Sequence, residues 1–113
     1  MAARRLILEM GMGNSLHEGD YTKAAVRAVN DAIRHSSLGF THALGIGFDQ
    51  LDIAITIGVA EPDKVDVAEV AKALPYGSPR VTAVAGGLNI PDENLGDVAV
   101  IASAAVEVFL SGE

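Results

Sequence analysis

The chain contains no cysteine and no tryptophan. The first absence excludes disulfides, a thiol nucleophile and thiolate-ligated metals. Aromatic residues are scarce, three Phe and two Tyr, so the apolar mass is Ala, Val, Ile and Leu, which suits close packing of strands and helices. Basic residues are also few. Eight Lys and Arg stand against fifteen Asp and Glu, a net charge of −7, with an isoelectric point near 4.7. No basic run extends beyond Arg4-Arg5. That composition argues against a nucleic-acid groove and against attraction to an anionic membrane surface. No apolar run reaches the roughly twenty residues of a bilayer span. The nearest approach, Val98 to Leu110, is too short and carries Glu107. Met1 to Met10 is too short for a secretory signal and lacks a cleavage pattern. The expectation is a cytoplasmic protein without nucleic-acid or membrane partners.

What remains is compact and apolar. The 113 residues fit one α+β domain, residues 1–113. Half of them are hydrophobic by the broad count, and the mean hydropathy is +0.32. A domain of this size hides only a modest share of its surface. The excess of apolar residues therefore predicts a homo-oligomer of closed symmetry, a trimer or higher.

Periodicity gives the elements. Arg5 to Met10 alternates Leu6, Leu8 and Met10 with Ile7 and Glu9, a strand. Gly11, Gly13 and Gly19 predict that it breaks into a turn. Thr22 to Arg34 is an amphipathic helix with Val26, Val29 and Ile33 on one face beside Ala25 and Ala32. Lys23, Arg27, Asn30 and Arg34 lie opposite, and Arg27 can pair with Asp31. Asp20 or Thr22 can cap its start. Phe40 to Ile46 and Leu51 to Ala60 read as a hairpin of two strands. Asp66, with Glu69 three residues on, opens a second helix with an apolar stripe of Val67, Val70, Ala71 and Leu74. Pro75 and Gly77 stop it. Arg80 to Ala85 is a strand closed by Gly86-Gly87. Val98 to Leu110 has helix-like alanines, but its β-branched residues recur every second position, so it is predicted to be a strand. The order β-α-β-β-α-β-β predicts two helices on one face of a mixed or antiparallel sheet. The other face, rich in Ala, Val and Ile, is then available to neighbouring subunits.

The residues able to do chemistry concentrate between Gly11 and Lys23. Strand-to-helix turns expose side chains and unpaired amides. Gly11 and Gly13 could leave amides free for a carboxylate or phosphate, although turn geometry explains them equally well. Ser15 lies in the same turn and is counted with the ligand-binding residues. His17 suits a general acid or base, because histidine as a residue type has a reference pKa near working pH. Glu9, if its strand face is buried, is a carboxylate in need of a partner and a proton-transfer mate for His17. Asp20 is a second such carboxylate, with helix capping as its commoner role. Lys23 could reach back to an anion held in the turn. Glu61, Tyr76 and Arg80 complete the ligand-binding candidates: a carboxylate at a strand end, a hydroxyl between Pro75 and Gly77, and a cation that could clamp an anionic ligand. His35 suits a helix C-terminus, and His42 suits packing in a strand. No cofactor is expected, because the turn lacks the third glycine of a dinucleotide fingerprint and the Gly-Lys-Ser/Thr of a phosphate loop. No metal is expected either, since no local His-x-x-x-His spacing exists.

From Glu9 to Leu38 the chain resembles a small family of uncharacterised bacterial and plant proteins marked by an N-terminal Gly-x-Gly-x-Asp-x-His-Gly motif. Gly11, Gly13 and His17 match it, as does the run Asp20 to Val29. Leu74-Pro75-Tyr76-Gly77 and Gly86-Gly87-Leu88 extend the likeness over most of the chain. Ser15 stands where the family has Asp, and Glu18 where it has Gly. The resemblance implies no particular reaction but directs attention to the His17 turn. The order of elements also resembles the folds of small trimeric enzymes with sites between subunits, such as the bacterial chorismate mutase and imine deaminase folds, an analogy of fold alone.

These readings predict a small enzyme acting on an anionic or carbonyl-containing metabolite by proton transfer, in the hydrolase, lyase or isomerase class, with its site at a subunit interface. The alternatives are a non-catalytic protein that binds or senses a small ligand, which the Ser15 substitution favours, and a structural partner subunit.

Overall fold

The computed structural model describes residues 4–34, 51–74 and 79–110. Along them run β1 (Arg4–Ser15), α1 (Tyr21–Arg34), β2 (Leu51–Val59), a 3-10 turn (Pro62–Lys64), α2 (Val67–Ala71), β3 (Arg80–Ala85), β4 (Leu88–Asp92) and β5 (Asp97–Leu110). The long strand β5 organises the sheet. β1 lies antiparallel along one of its edges, with Ser15 opposite Val100 and Arg4 opposite Leu110. Its other edge is shared end to end. β2 pairs with residues 103–110 and β4 with residues 97–101, both antiparallel. β3 lies outside β2 and parallel to it, with Ala54 opposite Arg80. A parallel neighbour needs a crossover connection, and the segment holding the 3-10 turn and α2 provides it.

The α+β architecture expected from the order of elements is therefore present, with two helices and a mixed, mostly antiparallel sheet of five strands among the described residues. One sheet face is packed. Ile53, Ile55, Ile57 and Val59 of β2 and Val100, Ala102, Ala104, Val106 and Val108 of β5 join α1 and Val70 of α2 in the core. Val98 to Leu110 is a strand, as its period of two predicts. No helix among the described residues is long and apolar enough to cross a membrane.

Three expectations need correction. First, β1 does not stop at the glycines but continues through Gly11 and Gly13 to Ser15. Both glycines face α1 at very close range. A Cβ built on Gly11 would lie 2.6 Å from the Ala28 carbonyl oxygen, and one on Gly13 would lie 2.5 Å from that of Ala24. The helix presents its own smallest residues to this track: Ala24, Ala28 and Ala32 are fully buried, while Val26 and Ile33 are only half-buried. Backbone meets backbone because neither side carries bulk. Second, Leu88–Asp92 is a strand that the sequence pattern does not reveal, since Pro91 and Asn89 mask any alternation. Gly86-Gly87 carries the chain across the end of β2 to reach it. Gly86 donates to the Val59 carbonyl at 2.8 Å, and Gly87 takes a left-handed φ of 66° against the Ile101 carbonyl oxygen. Third, α2 is short, and Val67 of its predicted stripe is exposed while Val70 and Leu74 are buried. Its cap is as expected: Asp66 accepts from the Glu69 amide at 3.1 Å. The predicted strand Phe40 to Ile46, and so the hairpin it would form with β2, lies outside the described residues.

β1 is an edge strand, and long edges invite pairing with other chains. Here α1 covers part of it. Asp31 accepts from the Met12 amide at 3.0 Å, and Arg27 donates to the Asn14 carbonyl at 2.8 Å. Asp31 also accepts from Arg34 at 2.7 Å, so the expected Arg27–Asp31 pairing gives way to these contacts.

Candidate functional site

The turn between β1 and α1 spans residues 16–20 and holds His17. Residues 18 and 19 are both left-handed, with φ of 67° at Glu18 and 57° at Gly19. A non-glycine residue in that region carries a conformational cost of about 1 kcal/mol. Glu18→Gly is therefore expected to stabilise the protein by about 0.5–1 kcal/mol, read as a rise in urea midpoint. An unchanged or lower midpoint would show that the Glu18 side chain compensates.

The strain is held by one carboxylate from the far end of the chain. Asp97, the first residue of β5, accepts from the Glu18 amide at 2.5 Å and from its neighbour Val98 at 2.8 Å. It also lies 3.1 Å from His17 Nδ1. These two backbone donors, with His17 after them, hold the Asp97 carboxyl below its ordinary value. Gly19 donates to the Val98 carbonyl at 3.3 Å, and Ser15 donates to the His17 carbonyl at 3.2 Å. The turn is thus fastened to the start of β5. With Nδ1 donating to Asp97, neutral His17 presents Nε2 as an acceptor. The ring stands at the lip of an open cleft of about 580 Å³ between the turn and the β4–β5 hairpin. Leu16, Ile90 and Leu95 supply apolar walls, and Asp92, Glu93 and Asp97 supply carboxylates. The His17 side chain itself is 77% exposed.

A second polar cluster lies at the start of α1. The buried Tyr21 hydroxyl donates to Glu61 at 2.8 Å and accepts from Asn89 Nδ2 at 2.6 Å. Lys64 pairs with Glu61 at 3.1 Å. The Tyr21 hydrogen bond, followed by Lys64, holds the Glu61 carboxyl below its ordinary value. Asn89 Oδ1 is buried there without a hydrogen-bond partner among the described residues.

The predicted site residues separate accordingly. His17 and Ser15 share the turn. Asp20 is the cap of α1, accepting from the Lys23 amide at 3.0 Å, so its carboxylate is committed to the helix rather than to His17. Lys23 is exposed on α1. Glu9 sits well down β1, opposite Val106, about 20 Å of strand from Ser15; it cannot be a direct partner of His17. Gly11 and Gly13 lie in the β1–β5 ladder, so the open cradle of turn amides is not formed. Glu61 belongs to the Tyr21 cluster. Arg80 starts β3 opposite Ala54 and faces Asp52 at 3.7 Å, at the end of β2 remote from Glu61. Tyr76, His35 and His42 lie outside the described residues. Among the described residues no three His, Asp or Glu side chains converge as a metal site. Sequence reasoning missed Asp97, Tyr21 and Asn89. Asp97 is 80 residues from His17, and nothing local marks it; Tyr21 falls just outside the helix that the apolar periodicity predicts from Thr22.

Residues 5–108 match the family described as conserved hypothetical protein (Lin0512_fam). The chain belongs to this family. The match includes the β1–α1 turn and all of β2 to β4, consistent with a small uncharacterised family. A solved structure described as an FtsZ-like protein of unknown function, from Nostoc punctiforme, is 36% identical over 99% of both chains, with a TM-score of 0.86. The curated proteins contain no match.

Proposed function

We propose that this member of the Lin0512 family acts on a small ligand in the cleft beside His17, with His17 as the proton-transfer group and Asp97 as the residue that orients it. The observation that carries this reading is the 3.1 Å contact between His17 Nδ1 and the Asp97 carboxylate at the lip of the cleft. A carboxylate on one ring nitrogen selects the tautomer and leaves the other nitrogen to take a proton from a bound molecule. Three carboxylates line the cleft, which favours a neutral or cationic carbonyl compound over the anion suggested by the sequence. Proton transfer at such a compound belongs to hydrolase, lyase or isomerase chemistry. Asp97 thereby takes the role first assigned to Glu9 and Asp20.

The exposure of the ring favours a second reading, a non-catalytic binding protein using the same cleft. Electrostatic catalysis strengthens where water is excluded, and one chain alone leaves the imidazole wet.

The test has two parts. Nitrogen-15 spectra of the imidazole should show Nδ1 protonated in neutral His17, with Asp97→Ala reverting it toward the Nε2–H form. Saturation-transfer NMR with a panel of small ketones, amides and amines should give hits that vanish in His17→Ala, a variant expected to melt within about 0.5 kcal/mol of the parent. Hits that persist unchanged in His17→Ala refute the reading. Binding without turnover selects the second one.

A further inference from the structure

Among the described residues nothing covers the sheet face opposite the helices. Side chains alternate along a strand, so the register assigns this face Leu8, Met10, Met12 and Asn14 of β1 and Ala99, Ile101, Ser103 and Ala105 of β5. To these it adds Ala54, Thr56 and Gly58 of β2, Val84 of β3, and Leu88 and Ile90 of β4. Met10 is 64% exposed, Met12 60% and Ile90 56%. Between the Glu107 and Asp97 rungs of β5 no charged side chain stands on this face among the described residues. The charges of this face gather at its two ends: Arg5 with Glu107 and Arg80 with Asp52 at one, Asp92 and Asp97 at the other.

We propose that this face pairs with the same face of a second copy of the chain. Three observations select a second copy. The first is size. The face is about 46 Å long, the length of β5, and about 17 Å wide, giving about 800 Å², which matches the roughly 800 Å² that each partner contributes to a stable interface. The second is charge. The chain carries −7, so two copies repel except where a surface holds no charge, and the middle of this face is such a surface; it offers nothing there to recognise a basic or acidic partner. The third is relief. Small residues of β5 and β2 form a shallow central trough, and the Met10–Met12 row of β1 forms a ridge along one side. Two sheets slid across one another seat each ridge in the other's trough. A two-fold pairing of this kind closes on itself.

The pairing also reaches the cleft. Ile90 belongs to both the bare face and the cleft wall, so a second copy seated on the face lies against the cleft mouth and removes water from it. The pairing itself does not depend on the role proposed for His17.

Sedimentation equilibrium of the full chain is expected to give twice the 11.7 kDa of one chain at micromolar concentration. Met12→Glu and Ile90→Glu, each placing a carboxylate in the buried face, are expected to give the monomer mass with an unchanged circular dichroism spectrum. Both positions are exposed in the single chain, and the milder Met12→Ser, expected to weaken association at least tenfold, serves if a charge disturbs folding. Asn30→Glu, on the exposed side of α1, is expected to leave the dimer intact. A monomeric parent, a mass of three or more chains, or a dimer that survives Met12→Glu and Ile90→Glu would overturn the proposal.

Discussion

Replacing Gly13 by alanine is expected to destabilise the protein by about 3 kcal/mol, at the upper end for adding one methyl group to a packed core. The new Cβ would lie 2.5 Å from the Ala24 carbonyl oxygen and 2.6 Å from Arg27 Cβ, and it would also meet the Ala28 amide nitrogen. Two of those three atoms are helix backbone, which cannot rotate away. Either α1 lifts from β1 or the β1–β5 ladder bends, and both responses disturb the buried Ala24, Ala28 and Val29. Gly58→Ala is the matched comparison. Its Cβ would meet nothing nearer than the Gly86 Cα at 3.6 Å, an ordinary contact, so this variant should be as stable as the parent or gain up to about 1 kcal/mol, since alanine is less costly than glycine in a strand. Urea unfolding of the two variants checks the difference. Equal midpoints would mean that the helix does not sit as close to β1 as described.

Truncating Ile57 to alanine is expected to cost about 4 kcal/mol. Ile57 is fully buried in β2, opposite Ala104 of β5 on one side and Ala83 of β3 on the other. Its neighbours across the sheet are alanines, which cannot move in to fill a void, so the loss combines apolar transfer with a persistent cavity. Val67→Ala removes a similar kind of group from an exposed position on α2 and should change stability by no more than about 0.5 kcal/mol. Chemical denaturation reads both. A loss below about 1.5 kcal/mol for Ile57→Ala would show that the core collapses around the vacancy.

These two positions illustrate how far local pattern reaches. Ile57 is legible directly: an Ile-rich run with period two has one buried face, and the sheet confirms which one. β5 is legible for the same reason, despite its alanines. Gly13 is not, because a glycine that ends a strand and a glycine that lets a helix settle on a strand look alike in one dimension. Only the alanines of α1 at spacing four hint at the second reading. The position of His17 in a polar turn between β1 and α1 is legible from the histidine and the surrounding polar residues. Its partner was not. Sequence proximity suggested Glu9 and Asp20, yet strand extension carries Glu9 away and capping occupies Asp20, while β5 returns Asp97 from the other end of the chain to within 3.1 Å.

The sequence by itself determined the alternation of strands and helices, the amphipathic character of α1, the cap at Asp66 and the surplus of apolar residues, because each is a matter of spacing and composition over a few neighbouring residues. The tertiary structure alone decided which carboxylate meets His17, why Gly11 and Gly13 must be small, and that β2 and β4 share one edge of β5. Those facts depend on register between segments far apart in the chain, and register is set by the packing of whole faces rather than by any local preference.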